Sequence, residues 1–399
     1  MAGRYKVYPE YKESEIEWVG NIPSHWTLAR LKNVLKIRNG KDYKEVEVSS
    51  GGYPVYGSGG IFKYSSTFLY DGESVLFGRK GTIDKPLLVK GKFWTVDTMF
   101  YSEVCSSMDA RFIHNQAMLF PYDLLSTNTA LPSMTQEDLL ELGFVFPDYE
   151  EQQKIANFLD HETSKIDTLI TKQEKLIELL QEKRQAVISH AVTKGLTPDV
   201  RMKDTGVEWL GEVPEHWVLG RLKNVLKIRN GKDYKQVEVE SGGYPVYGSG
   251  GIFKRSSEYL YDGESVLFGR KGTINKPLVV QGKFWTVDTM FYSELNKCID
   301  ANYVYLQATL FPFDLLSTNT ALPSMTQEDL LNLGFVIPPY EEQLVISESI
   351  SNHDIKFLNI IDKASKQIEL MKERKTALIS AAVTGKIDVR DWQPKGIQK

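Results

Sequence analysis

Cysteine is nearly absent from this chain, with two thiols, Cys105 and Cys298, among 399 residues. Two unmatched cysteines exclude a disulfide framework, and with only six histidines a zinc cluster is excluded as well. No run approaches the ~20 apolar residues of a membrane-spanning helix. The opening MAGRYKVYPEYKES lacks the apolar segment of a secretory signal. A cytoplasmic chain without membrane contact is expected. Charge of one sign is not in excess either, the net value being −4.

Signatures of catalysis are missing too. There is no G-x-x-x-x-G-K-[ST] phosphate loop, and Asn39-Gly-Lys-Asp does not substitute for one. Neither G-x-S-x-G nor H-E-x-x-H occurs. Gly57 and Gly59 begin a G-x-G-x-x-G string, but Phe62 stands where the third glycine belongs. Ile337-Pro-Pro-Tyr lacks the polar first residue of an amino-methyltransferase motif, and its counterpart is Phe146-Pro-Asp-Tyr. The residues read as a non-catalytic recogniser with no cofactor or metal of its own.

What is present is present twice. Arg30 to Lys44 reads RLKNVLKIRNGKDYK, and the same letters return from Arg221 to Lys235, a displacement of 191 residues. Solenoid units repeat every ~20–50 residues, so this is a duplicated domain. Cys105 and Cys298 do not correspond under the displacement, whereas His25 and His216 do. Each copy carries a crowded basic segment, Arg30, Lys32, Lys36, Arg38, Lys41 and Lys44, with its equivalents from Arg221 to Lys235. A local basic patch on a mildly acidic chain is the expectation, since distribution matters more than the sum.

Each copy opens on tryptophans, WVGNIPSHW at 18–26 and WLGEVPEHW at 209–217, which read as core anchors around a turn. Short β-type runs punctuated by Gly, Asp and Asn follow, as in a β-rich domain with small helices. At PDYEEQ (147–152) and PPYEEQ (338–343) the character changes. Proline and carboxylates there suit a helix start. From that point Ile155, Leu159, Ile166, Leu169, Leu176, Leu180 and Val187 follow heptad-like spacing, with polar Glu162, Gln173 and Lys183 on the seam. Ile346, Ile350, Phe357, Ile360, Met371 and Leu378 match them in the second copy, with Gln367 polar. Two helices of about 40 residues, roughly 60 Å each, are predicted, ending near Gly195 and Gly385.

The expected architecture is α+β: two similar β-rich recognition domains separated by two long helices packed as an antiparallel coiled coil, with pseudo-twofold symmetry. The expected boundaries are residues 1–148 and 196–339 for the domains, 149–195 and 340–386 for the helices, and 387–399 for a tail. Segment 1–14 is expected to pack near the C-terminus.

Divergence between the copies is uneven. Identity is unbroken over Gly51–Lys63, Leu69–Ile83, Gly91–Glu103 and Asp123–Leu140 and their counterparts, while the helices and Val104–Asn115 have drifted. Both domains therefore read as performing one recognition task. The preserved loops suit DNA. Tyr56-Gly-Ser58-Gly-Gly, with Tyr247 and Ser249 in copy two, brings amides close to a phosphate, or is a plain turn. Gly78-Arg79-Lys80-Gly81 offers a guanidinium for a guanine edge. Trp94-Thr95-Val96-Asp97-Thr98 and Ser126-Thr127-Asn128-Thr129 offer hydrogen-bonding groups, with Trp94 and Asp97 equally readable as a core ring and a strand-end bond.

Together, the W-x-G-x-[IV]-P-x-H-W opening, the GRKG and FWTVDT segments, the P-x-Y-E-E-Q helix start and the duplication resemble the specificity subunit of type I restriction–modification systems. The resemblance implies two target recognition domains, each reading half of a bipartite site on double-stranded DNA. It implies helices that dock two methyltransferase subunits, with restriction subunits joining the full complex. S-adenosylmethionine and ATP would then reside on those partners. It places the DNA-facing role on Arg79, Lys80, Trp94, Thr95, Asp97, Thr98, Thr127 and Asn128, and on Arg270, Lys271, Trp285, Thr286, Asp288, Thr289, Thr318 and Asn319. Family members usually carry two dissimilar domains; the near-identity here points to an interrupted palindrome. The specificity subunit of a type IIB enzyme and a twin-domain protein-binding scaffold remain alternative readings.

Overall fold

The computed structural model describes residues 5–126, 132–317 and 323–394. The chain forms two compact units, one of residues 1–173 with 366–399, the other of residues 174–365. The divisions fall inside the two long helices, Tyr149–Lys194 and Tyr340–Val383. Each unit thus contains one β-rich domain, the first half of its own helix and the last half of the other.

In the first unit a seven-stranded sheet runs in the order Leu35–Asn39, Met99–Val104, Tyr70–Gly78, Leu87–Thr95, Tyr53–Gly57, Gly60–Ser65, Glu47–Val48. All neighbours are antiparallel except Tyr53–Gly57, which pairs parallel with the end of Leu87–Thr95 through Val55↔Trp94 and Tyr56↔Thr95. Ser74 to Gly78 is buried at every position, so both faces are covered and the alternation of a half-exposed strand is absent. Ser74 and Ser102 complete the ladder where strands part: Val75 N–H donates to Ser102 Oγ (2.8 Å) and Ser102 N–H to Ser74 Oγ (3.0 Å).

The second unit repeats this path with Ser265 and Ser293. The strands there divide into sheets of four and five, although Gly263 and Gly282 still exchange both backbone hydrogen bonds (3.2 and 3.1 Å), as neighbours in one continuous hairpin do.

Two conserved motifs of each copy meet in its core. In the first unit Trp26 Nε1 donates to Glu151 Oε1 (3.0 Å), His25 Nε2 lies 2.9 Å from Oε2, and the Tyr8 hydroxyl donates to Oε1 (2.7 Å). The neighbouring Gln152 accepts from Asp109 N–H and donates to Pro147 O. The N-terminal segment also bonds to the tail, Lys6 and Asp388 forming an antiparallel bridge.

Within each unit the helix halves run antiparallel. Asp167 pairs with Lys375 (2.7 Å) and Gln173 with Gln367 (3.1 Å) in the first, Arg184 with Asp354 in the second (2.8 and 2.6 Å). Ile155, Leu159, Ile166, Ile346 and Ile350 are buried as expected of seam or core positions, and Leu180, Phe357 and Met371 are half-buried. Three expected seam residues are not on the seam. Leu169, Leu176 and Ile360 are 51%, 39% and 45% exposed, and Ile170, Ile177 and Ile361 take their places. Lys183 is likewise exposed and Arg184 is the seam residue. Each error is one residue within an adjacent apolar or basic pair, where spacing alone leaves the choice open and a step of ~100° around the helix decides it.

Candidate nucleic-acid interface

One end of the sheet collects the preserved polar loops. Gly78-Arg79-Lys80-Gly81 leaves the strand Tyr70–Gly78 and meets the turn Val96-Asp97-Thr98 that joins the next two. Arg79 N–H and Lys80 N–H both donate to Thr98 O (2.8 and 3.2 Å). The Arg79 guanidinium donates to Asp97 O (3.3 Å) and lies 5.9 Å from the centre of the Phe100 ring. A third segment closes the cluster: Met134 N–H donates to Arg79 O, Gly81 N–H to Pro132 O, and Lys80 bridges Ser133. Arg79 is thereby held by backbone acceptor and ring together, a preorganised planar donor, while Lys80 stays exposed.

The second unit reproduces this geometry. Arg270 donates to Asp288 O (3.2 Å) and lies 5.9 Å from the Phe291 ring, and Arg270 and Lys271 N–H bond Thr289 O. At this loop cluster a ≈350 Å³ cleft is lined by Asn230, Arg270, Lys271, Phe291, Ser324 and Gln327, among others.

Glycine makes the convergence possible. A Cβ on Gly40 would stand 2.0 Å from Val96 O and one on Gly78 2.1 Å from Thr82 O, distances no side chain survives. The strand end at Asn39 and Gly40 can therefore lie against the Thr95–Val96 backbone, with Lys41 N–H donating to Thr95 O (2.9 Å).

The expected residues divide by position. Asp97, Thr98, Asp288 and Thr289 are exposed at the loop cluster beside Arg79, Lys80, Arg270 and Lys271. Trp94, Thr95, Trp285 and Thr286 are buried, which corrects their expected place on the surface. Trp94 Nε1 donates to Lys41 O (2.9 Å) and Thr95 Oγ1 to Tyr56 O (3.0 Å). In copy two Trp285 donates to Lys232 O and Thr286 to Tyr247 O. They set the loops' backbone and present no surface. Tyr56 and Tyr247 are half-buried, their rings packed edge-on against Phe93 and Phe284. Ser58 and Ser249 sit on the turns between Gly57 and Gly60 and between Gly248 and Gly251. Thr127, Asn128, Thr318 and Asn319 lie outside the described residues.

Asn39 and Gln136 were missed by sequence reading. Gln136 Nε2 donates to Asn39 Oδ1 (3.0 Å), and Gln327 and Asn230 repeat the bond at the cleft (3.1 Å). Both positions sit in preserved stretches, so the repeat comparison held the signal.

The basic segment is less free than its composition suggests. Arg38 forms two bonds to Glu103 (2.9 and 3.3 Å), an arrangement that holds the Glu103 carboxyl below its ordinary range. Arg30 and Lys32 both bond Glu141, while their counterparts Arg221 and Lys223 meet neutral Asn332.

The diverged segment Val104–Asn115 lies away from the cluster. Val104 pairs with Leu35 at the opposite end of the strand from Phe100↔Asn39. The helix Ala110–Ala117 beyond it buries Phe112 and Ile113, with Tyr303 and Val304 in copy two. It contacts the long helices, Arg111 donating to Asn157 and Asp160 (2.8 and 2.9 Å) and Gln116 Nε2 to Val383 O (3.0 Å).

The family model for the type I restriction modification DNA specificity domain matches residues 23–179 and 214–370, one match per copy. The chain belongs to this family. It is a type I restriction–modification specificity subunit carrying two copies of the DNA specificity domain. It is 24% identical over 363 residues to the type I restriction enzyme MjaVIII specificity subunit of Methanocaldococcus jannaschii, covering 81% of this chain and 79% of that protein. It is 21% identical over 371 residues to the EcoDI specificity subunit of Escherichia coli, covering 81% and 80%. A solved chain described for complex assembly and conformational transition of the type I R-M system shares the fold, with a TM-score of 0.71 at 13% identity, over 91% of this chain and 98% of that one. Among the described residues no helix is long and apolar enough to cross a membrane.

Proposed function

We propose that each domain reads one half of a bipartite DNA site through the loop cluster at its sheet end. Arg79 and Arg270 act as the base-reading guanidinium groups, and Lys80 and Lys271 as phosphate contacts. One observation carries this reading: the same cluster, down to the guanidinium held between a carbonyl and a ring, is built twice.

Near-identical readers recognise the same short sequence. Placed on opposite strands, they define an interrupted palindrome, with half-sites about one helical turn apart if both face the same side of the duplex. The subunit supplies recognition and no catalysis. The long helices dock two methyltransferase subunits, which bind S-adenosylmethionine and methylate adenine flipped out of the duplex. Restriction subunits with ATP-driven motors complete the assembly, in the cytoplasm. The Leu169, Leu176 and Ile360 side chains, turned away from the seam, support a helix surface that binds other subunits.

The test is binding of the reconstituted methyltransferase complex to its target across a salt series. Lys80→Ala with Lys271→Ala should reduce the salt slope by about 2 and weaken all sequences alike, one unit per lost phosphate contact. Arg79→Ala should cost about 1–3 kcal/mol and relax discrimination in one half-site. Unchanged affinity and slope in both variants would remove the loop cluster from the interface.

A further inference from the structure

The two units treat the same core carboxylate differently. In the first unit Glu151 is closed in. Tyr8 fills the space over it, donating to Oε1 (2.7 Å), its ring 6.2 Å from that of Trp26. The Arg390 guanidinium covers the Tyr8 ring at 4.9 Å, and Tyr5, Phe158 and Trp392 pack edge to face alongside. The Glu151 side chain is 6% exposed.

In the second unit His216 and Trp217 hold Glu342 as their counterparts hold Glu151 (2.8 and 2.7 Å), yet among the described residues no tyrosine bonds the carboxylate, while Trp217 itself is 1% exposed. Asp199 stands at the repeat position of Tyr8, and Ser349 at that of Phe158. A cavity of ≈180 Å³ remains, bounded by Leu196, Val200, Pro214, Trp217, Glu342 and Val345. Glu342 is 43% exposed. The rim differs in the same sense. Where the first helix carries polar Gln153 and Lys154, the second carries Leu344 and Val345, both exposed, Val345 at 58%.

We infer that this pocket of the second unit receives a tyrosine side chain from a partner protein, its hydroxyl on Glu342 and its ring against the Pro214 and Val345 side of the pocket. The first unit shows the chemistry the pocket is built for: a phenol donating to the carboxylate beneath a cation. Glu341 and Glu342 supply the matching negative charge, and the Leu344/Val345 rim supplies apolar area that its counterpart lacks. The inference rests on the specificity-subunit reading only for the partner's identity.

The experiment uses the full chain with its seven tryptophans replaced by 5-fluorotryptophan and read by fluorine NMR. The Trp217 signal is assigned by Trp217→Phe, or by the shift that Val345→Lys causes if that variant does not fold. Tyramine, a phenol bearing a cation, should move the Trp217 signal through the Glu342 carboxylate that the indole bonds, and leave Trp26, whose Glu151 already accepts from Tyr8, in place. A co-purifying methyltransferase subunit should move the same signal and weaken the tyramine effect at least tenfold. A Trp217 signal indifferent to tyramine overturns the pocket chemistry, whatever the methyltransferase does. One that answers tyramine but not a bound methyltransferase overturns the partner and leaves the specificity-subunit reading intact. Failure of the two proteins to associate counts against that reading, and against this partner with it.

Discussion

Glu151 joins two motifs that lie 125 residues apart in the chain. Its buried carboxylate accepts from Trp26 and Tyr8 and pairs with His25, so truncation strands donors inside the core. Glu151→Ala should destabilise the first unit by about 3 kcal/mol or more, and Glu342→Ala, open to water on one side, should cost the second unit less. Differential scanning calorimetry of both variants checks the order. Sequence shows H-W and E-E-Q as motifs but not as partners, because their meeting is a tertiary contact. Trp94 and Thr95 illustrate the converse. They were legible as important and were misplaced onto the surface, since both are buried with their side chains bonded to the Lys41 and Tyr56 carbonyls, tertiary contacts that alternation along the strand does not contain. His114 separates the copies in another way. Burial holds its imidazole below the ordinary range, its Nε2 facing Pro86 O (3.2 Å), and copy two has Tyr305 there. The folded chain then binds fewer protons than the unfolded one. This contribution is full above about pH 6.5 and is lost as pH falls toward the depressed folded value. The first unit's melting temperature should fall between pH 7 and 5.5, and His114→Tyr should flatten that slope.

At the scale of the helix, length, start and stop were legible from proline, carboxylates and the closing glycine. The seam was legible only to within one residue. Leu169-Ile170 and Leu176-Ile177 are adjacent apolar pairs, and the partner helix, which the local pattern does not contain, selects Ile170 and Ile177. Ile170→Glu should therefore destabilise by about 2–4 kcal/mol, by burying an unpaired charge. Leu169→Glu should stay within about 0.5 kcal/mol. Thermal melts giving equal losses for the two would contradict the register. Val104–Asn115 differs between the copies together with its helix partners: Arg111 and the Asn157 and Asp160 that it bonds are Asn302, Glu348 and Ser351 in the second copy, while the opposite sheet end is identical.

For the molecule as a whole, duplication was the most legible feature, and both family matches respect it, residues 23–179 and 214–370 standing at the same displacement. Composition concealed what the fold makes plain: part of each basic segment is spent on Glu103, Glu141 and Glu294, while Arg79 and Arg270, the proposed readers, are held at the preserved loop cluster. On the proposed reading, two nearly identical domains recognise the same half-site. The most direct measurement is co-expression with the methyltransferase subunit and single-molecule sequencing of host DNA for methylated adenine. An interrupted palindrome, relaxed at matching positions of both halves by Arg79→Ala with Arg270→Ala, is the predicted result. A bipartite motif with two unrelated halves would contradict it.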